Sequence, residues 1–391
     1  MGVVVSFSAL RHVRRLLALG IGSGSLLSLL SGCAPEAPPS NPDTGPKMPE
    51  GDLLDYPVDA PGPFRVGYRS FLYTYQPKGV PGPREIRVNL WYPTLDEEGT
   101  PPRYINVFPD EDVFEGASVA PPMEAAGYPV HLHSHGYSGF GGTSSDMMRW
   151  FASHGWVAVA PDHKGNTLPE HEDTVPLTMS FLRPMDLTAS LDALEALPAD
   201  DPLSGKCRTD EVLLSGHSFG GRTAWATGGA VHDLAAIQAM CDAGSKFSEP
   251  CTPEQIAVFG EGLGEPRVAA AIPMASGVGA DEPGWFGYDG YDAVNKPFMQ
   301  MSGSLDPVGA ENVWSRVTSI DFTWLDFEGG CHQLFALGGC PEFDSLEGWA
   351  LVNKYAFAFA RRHVLADTSD EVRKILDGTE VLSPKVKFQH K

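Results

Sequence analysis

Along most of the chain, short apolar runs alternate with stretches whose apolar residues fall at helical spacing. Residues 86–92 alternate apolar and polar as a half-buried strand does, and residues 128–133 form a second run that ends at a Gly-rich turn. Residues 145–153 carry Met147, Met148 and Phe151 on one helical face and are closed by Gly155. A strand over 156–160 follows. The stretch 184–197 opens on Pro184 and places Leu187, Leu191 and Leu194 at helical spacing, so it predicts a helix laid on a sheet. Residues 211–215 read as a buried strand and 222–227 as the start of a helix. Further strands are expected over 267–274, 296–301 and 322–327, and a final helix over 346–362. Strands alternating with helices in this way predict a mostly parallel central sheet with helices on both faces, an α/β fold, over residues 63–391.

Two stretches stand outside that rhythm. Residues 232–264 are a charged insertion containing Cys241 and Cys251, either a cap over a site or a solvated excursion. The N-terminal segment has Arg11, Arg14 and Arg15 ahead of an apolar stretch of residues 16–30 that ends in Leu30-Ser31-Gly32-Cys33. It resembles a bacterial lipoprotein signal, which implies cleavage after residue 32 and lipidation of Cys33. Residues 33–62, rich in Pro, Ser, Asn and Asp, read as a tether. The chain is therefore expected to be exported, anchored to the cell envelope by lipid alone or secreted.

Composition is ordinary for a globular protein, with 42% hydrophobic residues. A net charge of −22, from 50 acidic and 28 basic residues, speaks against nucleic acid or an anionic membrane surface as a partner. Of the 6 cysteines, those other than Cys33 read as candidate disulfide formers in an oxidising compartment. Cys331 with Cys340, and Cys241 with Cys251, bracket short loops. Cys207 is left over, and its pairing with Cys241 or Cys251 stays open.

Chemistry concentrates at Gly216-His217-Ser218-Phe219-Gly220-Gly221. A serine between glycines, after an apolar strand and before a helix, is built for a strained turn that exposes its hydroxyl. A serine is a poor nucleophile alone, so a base must take its proton and a carboxylate must orient that base. Asp306 follows the strand at 296–301, and His332 follows the strand at 322–327 on the loop that Cys331 and Cys340 bracket. Asp321 and Asp326 are the alternative acids. His217 lies in the turn itself, and His131, His133 and His135 lie upstream. The backbone N–H of Phe219, and that of Tyr137 in His135-Gly136-Tyr137-Ser138-Gly139, are the expected donors to an oxyanion. The alternating His131, His133 and His135 raise a rival metal site, but only Asp162-His163 offers further ligands nearby. Neither metal nor organic cofactor is expected.

The order of elements and of Ser218, Asp306 and His332 is that of an α/β-hydrolase. Four segments, Ser134-His135-Gly136-Tyr137, Ala160-Pro161-Asp162-His163, Arg183-Pro184-Met185-Asp186 and the stretch around Ser218, resemble the dienelactone-hydrolase-like and platelet-activating-factor acetylhydrolase-like branch, and bacterial cutinase-type polyester hydrolases. The resemblance spans residues 64–362. It implies carboxylic-ester hydrolysis through an acyl-enzyme, on small-molecule or polymeric esters of short-chain, lipid-like or polyester type. Serine at 218, where dienelactone hydrolases carry cysteine, turns the expectation toward esters of the acetylhydrolase or cutinase kind. Met274 and Trp285, the latter in Trp285-Phe286-Gly287-Tyr288, are candidates to line the substrate site. A binding lipoprotein without activity, an amidase and an acyltransferase are the rival readings of the same residues.

Overall fold

A computed structural model describes residues 47–243 and 252–391. Cys33 and Cys251, and with them the lipidation site and the Cys241–Cys251 pairing, lie outside the described residues. Cys331 and Cys340 are bonded, with Cα atoms 5.5 Å apart. Cys207 is a free thiol whose pKa burial pushes up to about 12.

The chain forms a ten-stranded sheet. In chain order its strands are β1 Arg65–Tyr75, β2 Arg84–Thr94, β3 Val113–Glu115, β4 Tyr128–Ser134, β5 Val157–Asp162, β6 Cys207–His217, β7 Val268–Met274, β8 Phe298–Gly303, β9 Phe322–Phe327 and β10 Val386–His390. Across the sheet they run β10-β9-β8-β7-β6-β4-β5-β2-β1-β3. From β5 to β9 every neighbouring pair is parallel. On one side β10 pairs antiparallel with β9; on the other β2 pairs antiparallel with β5 and with β1, and β3 closes that edge parallel to β1. This order, with helices packed on both faces, is the α/β-hydrolase fold. The central strands are buried along their length, as a parallel sheet covered on two faces requires.

Three strands were not visible in the apolar pattern. β1 mixes Arg65, Arg69 and Ser70 into its run because its far end is half exposed. β3 and β10 hold three and five residues and cover sheet edges, where polar side chains are tolerated. Helix α2, Met179–Glu195, begins five residues before Pro184. Proline in the second turn forfeits one backbone bond, while Met179, Phe181 and Leu182 ahead of it are buried against the insertion. The insertion itself contains helices Leu234–Asp242 and Pro253–Gly260, whose Ile237, Val258 and Phe259 join that apolar cluster and reach Phe219 and Trp285. It is a packed side wall.

The globular unit also starts earlier than residue 63. Leu53 and Val58 are 3% and 0% exposed. Arg361, on helix Ser345–Val364, donates to the carbonyls of Leu54 and Tyr56 at 2.9 and 2.5 Å and pairs with Asp367 at 2.6 Å. Residues 47–62 are thus held down by buried apolar side chains and one buried guanidinium. Pro-rich composition concealed this, because only two side chains enter the core. Replacing Arg361 with Gln leaves the buried Asp367 carboxylate without its cation and weakens the hold on the Leu54 and Tyr56 carbonyls. It is expected to cost about 3–5 kcal/mol of stability, read as a lower urea midpoint at unchanged slope.

Candidate active site

Sterics build the turn around Ser218. β6 must reverse into helix α3, Phe219–Thr227, within one residue, and Ser218 takes φ 57° and ψ −115° to do so. Such a conformation is strained for a side chain with a Cβ and persists only where its surroundings impose it. The imposition is backbone on backbone. A Cβ at Gly216 would overlap the Gly220 carbonyl, and one at Gly220 would overlap the Ser134 carbonyl. The Ser218 N–H is held by the Met274 carbonyl at 2.9 Å. That bond corrects the expectation for Met274: its side chain is fully buried in the core, and only its backbone serves the site.

Asp306 leaves β8 on a turn closed by its own N–H on the Gly303 carbonyl at 2.9 Å. The neighbouring Leu305 N–H bonds the Gly330 carbonyl at 2.9 Å, so the acid loop is tied to the loop that carries His332. His332 Nδ1–H donates to Asp306 Oδ2 at 2.8 Å, and the Ser218 hydroxyl donates to His332 Nε2 at 2.8 Å. The Asp306 side chain is buried and that of His332 is about one-third exposed. Asp326 instead accepts from Ser302 and Asp321 lies by His390, so neither alternative acid reaches the site. His217 takes a role that its sequence position did not disclose. Burial lowers its pKa to about 3, so it is neutral, and its Nε2–H donates to the carbonyl of His332 at 2.8 Å. It positions the base.

The two expected oxyanion donors, Tyr137 and Phe219, belong to different elements. Phe219 opens helix α3, where its N–H lacks an intrahelical partner. Tyr137 sits in a turn closed by Gly139 N–H on the Gly136 carbonyl at 3.1 Å, with Ser138 at φ 51°. Neither the Phe219 nor the Tyr137 N–H finds an acceptor among the described residues. The Tyr137 hydroxyl donates to the Glu172 carbonyl, and Ser138 Oγ lies 2.6 Å from His171 Nδ1, which pins the turn from outside.

From behind, the turn is held by a buried polar network that joins the quoted segments. Arg183 is fully buried and donates to the Ser134 hydroxyl at 3.1 Å, to the His135 carbonyl and to Asn166 Oδ1 at 2.6 Å. The Ser134 hydroxyl donates to His163 Nε2 at 2.9 Å, and His163 Nδ1–H donates to Asp186 at 2.9 Å. Asp186 also accepts from Tyr75 at 2.7 Å and Arg84 at 2.7 Å. Asp162 holds the Gly141 N–H at 2.7 Å. His131 and His133 do share one strand face, where both lie 2.7 Å from the hydroxyl of Ser215, while His135 bonds the Gly136 carbonyl and the His163 N–H. Desolvation pushes the pKa values of His131, His133, His135 and His163 down, to about 3 for His131. Arg183, Asp186 and Asn166 supported the site unseen, although the motif Arg183-Pro184-Met185-Asp186 pointed there. Trp285 does lie close by: it stacks on the Arg222 guanidinium at 4.1 Å.

The chain has the α/β-hydrolase fold, and that fold brings Ser218, His332 and Asp306 into hydrogen-bond contact. The Chlorophyllase family model matches residues 111–240, a segment that contains Tyr137 and Ser218 and ends before Asp306 and His332. Chlorophyllase-2 of Arabidopsis thaliana is 33% identical over 109 residues, which cover 28% of this chain and 31% of that protein. The chain thus spans about a third of the length of that curated relative. Among solved structures, a ferulic acid esterase from Streptomyces cinnamoneus superposes with a TM-score of 0.58 at 21% identity, over 85% of this chain and 98% of that one.

Two expectations follow. His217→Ala is expected to lower kcat about tenfold with KM unchanged, the value of one hydrogen bond, and His217→Gln, which keeps a donor, to restore most of it. A rise in KM alongside the fall in kcat would show damage beyond the base. The buried histidines also set an acid limit. They are neutral when folded, but below about pH 6.5 the unfolded chain takes up protons that the folded chain refuses. Stability is therefore complete above pH 6.5 and is lost as pH falls toward 4. Each histidine contributes up to about 1.4 kcal/mol per pH unit. Melting temperature followed by circular dichroism should drop steeply between pH 6 and 4.5; a flat profile would contradict the buried neutral layer.

Proposed function

We propose that the chain is a serine carboxylic-ester hydrolase that works through an acyl-enzyme. The observation that carries this reading is the relay from Ser218 to His332 to Asp306, with both contacts at 2.8 Å. His332 Nε2 takes the hydroxyl proton as Ser218 Oγ attacks the ester carbonyl, and Asp306 stabilises the imidazolium. The tetrahedral oxyanion forms between the free N–H groups of Tyr137 and Phe219. His332 then returns the proton to the departing alcohol, and water repeats the sequence on the acyl-enzyme to release the acid.

The surroundings favour apolar esters of short-chain, lipid-like or polyester type. Tyr137, Leu168, Leu305 and Leu337 are exposed to 36%, 45%, 47% and 61%. Each lies on a loop that carries or braces one of the proposed catalytic groups, which offers an apolar substrate exposed apolar side chains on those loops. The name of one structural neighbour, a ferulic acid esterase, supports an ester hydrolase in general. The Cys331–Cys340 bond fits an enzyme exported to an oxidising compartment, with lipid at Cys33 as its anchor.

A fluorophosphonate probe is expected to label the protein and to spare Ser218→Ala, whose ester turnover should fall by about 10⁴-fold or more. Hydrolysis of p-nitrophenyl esters of graded chain length, a phospholipid and a polyester film then ranks the substrates. Labelling that survives in Ser218→Ala would overturn the assignment.

A further inference from the structure

Several arginines of this acidic chain are paired with carboxylates, and the fully buried Arg183 is met by the Ser134 hydroxyl, the His135 carbonyl and Asn166. Arg84 meets Asp186, Arg149 meets Asp110, Arg267 meets Glu265 and Arg361 meets Asp367. Arg222, one turn beyond the nucleophile on helix α3, differs. Among the described residues its guanidinium has no carboxylate and no hydrogen-bond acceptor; it stacks on the Phe219 and Trp285 rings, each 4.1 Å away. Burial lowers its pKa to about 9, with no negative charge to offset the loss of water. The rings occupy guanidinium faces and leave the N–H edge as its means of pairing.

Two more donors stand beside it without partners. Ser276 Oγ and Trp225 Nε1 are in side chains 7% and 2% exposed, and neither has a hydrogen bond among the described residues. With Arg222 they line one narrow cleft of about 30 Å³, walled by Trp285 and Tyr291. The backbone is strained to bring Ser276 there. Ala275, just before it, has φ 48°, a conformation that costs a non-glycine residue energy and is retained where the surroundings demand it. Its N–H is fixed on the Met301 carbonyl at 2.9 Å, and Ser276 Oγ is thereby pressed against Gly221, 2.6 Å from where a Cβ would stand. The cleft adjoins the chemistry through two contacts. Arg222 stacks on the residue that supplies an oxyanion donor, and Ser276 follows by two residues the carbonyl that holds the Ser218 N–H.

We propose that Arg222, Ser276 and Trp225 form a subsite for a carboxylate on the ester substrate, which makes half-esters of dicarboxylic acids preferred over neutral diesters; this rests on the ester-hydrolase reading above. The guanidinium edge matches a carboxylate in plane, and the hydroxyl and indole N–H answer its remaining lone pairs. The cleft is far below the ~300–1,000 Å³ of a whole-ligand pocket, so it admits a terminal group while the rest of the substrate lies on the apolar approach. A methyl ester in the same place would bring weaker acceptors and an extra carbon.

The test compares monomethyl adipate with dimethyl adipate by kcat/KM in the wild type, Arg222→Gln and Ser276→Ala. The wild type is expected to favour the half-ester, and the ratio of the two values to fall roughly 10- to 100-fold in Arg222→Gln, as for a lost charge-assisted hydrogen bond. A smaller fall of the same sign is expected in Ser276→Ala, which also serves if Arg222→Gln fails to fold. A wild type without preference, or a ratio unchanged by both substitutions, overturns the subsite. Titration of Ser218→Ala with adipate separates this from a failure of the enzymatic reading. Saturable binding that disappears with Arg222→Gln supports the subsite even if neither ester is cleaved, and absence of binding refutes it.

Discussion

Everything at the site depends on how closely helix α3 passes beneath the turn that follows β4. Gly220 lies flush with the Ser134 carbonyl and Gly216 with the Gly220 carbonyl, so neither position has room for a Cβ. That contact sets the spacing between the N–H groups of Phe219 and Tyr137, the two proposed oxyanion donors, because Phe219 belongs to the helix and Tyr137 to the turn. It also forces Ser218 into its strained conformation, since the chain must reverse within one residue. Strain here is the consequence of close packing between two backbones, and the parallel sheet supplies the stiffness that sustains it.

Such packing demands that the turn itself not give way, and the buried polar network answers that demand. A guanidinium and four histidines in the interior are costly unless their hydrogen bonds are met or their charge is suppressed. Asp186 collects bonds from His163, Arg84 and Tyr75, and Arg183 bonds back to Ser134 and the His135 carbonyl. The network thus joins strands β1, β2, β4 and β5 to helix α2, five elements distant in sequence that meet behind one turn. On the opposite side the base loop is fixed by three separate links: His217, the Gly330 carbonyl and the Cys331–Cys340 bond.

The central sheet and the triad were legible in the sequence because each leaves a local trace. Buried parallel strands are short apolar runs, and a nucleophile on a tight turn needs glycines at fixed offsets. Asp306 and His332 could be chosen because each follows a strand at the sheet edge where Ser218 emerges. What escaped was set by partners far apart in the chain. β1 and β10 are strands through pairing with β2 and β9, which their mixed composition does not announce. Residues 47–62 read as a tether because their hold on the domain comes from Arg361, some 300 positions later. Met274 was misjudged since the last residue of a strand offers backbone as well as side chain, and here the carbonyl matters. Arg222 could not be singled out, for an arginine without a counter-charge looks in sequence like any other.

The hold of Arg361 on Leu54 and Tyr56 has a mechanical consequence. A pull on the chain ahead of Leu53 does not reach β1 first; it is taken up by a guanidinium on helix Ser345–Val364 and by Asp367 behind it. That helix runs through the core and also packs against the short turn His332–Phe335. Tension at the N-terminal end is therefore carried along a long buried helix and borne by its whole packed face, while the first strand, peelable one hydrogen bond at a time, stays unloaded.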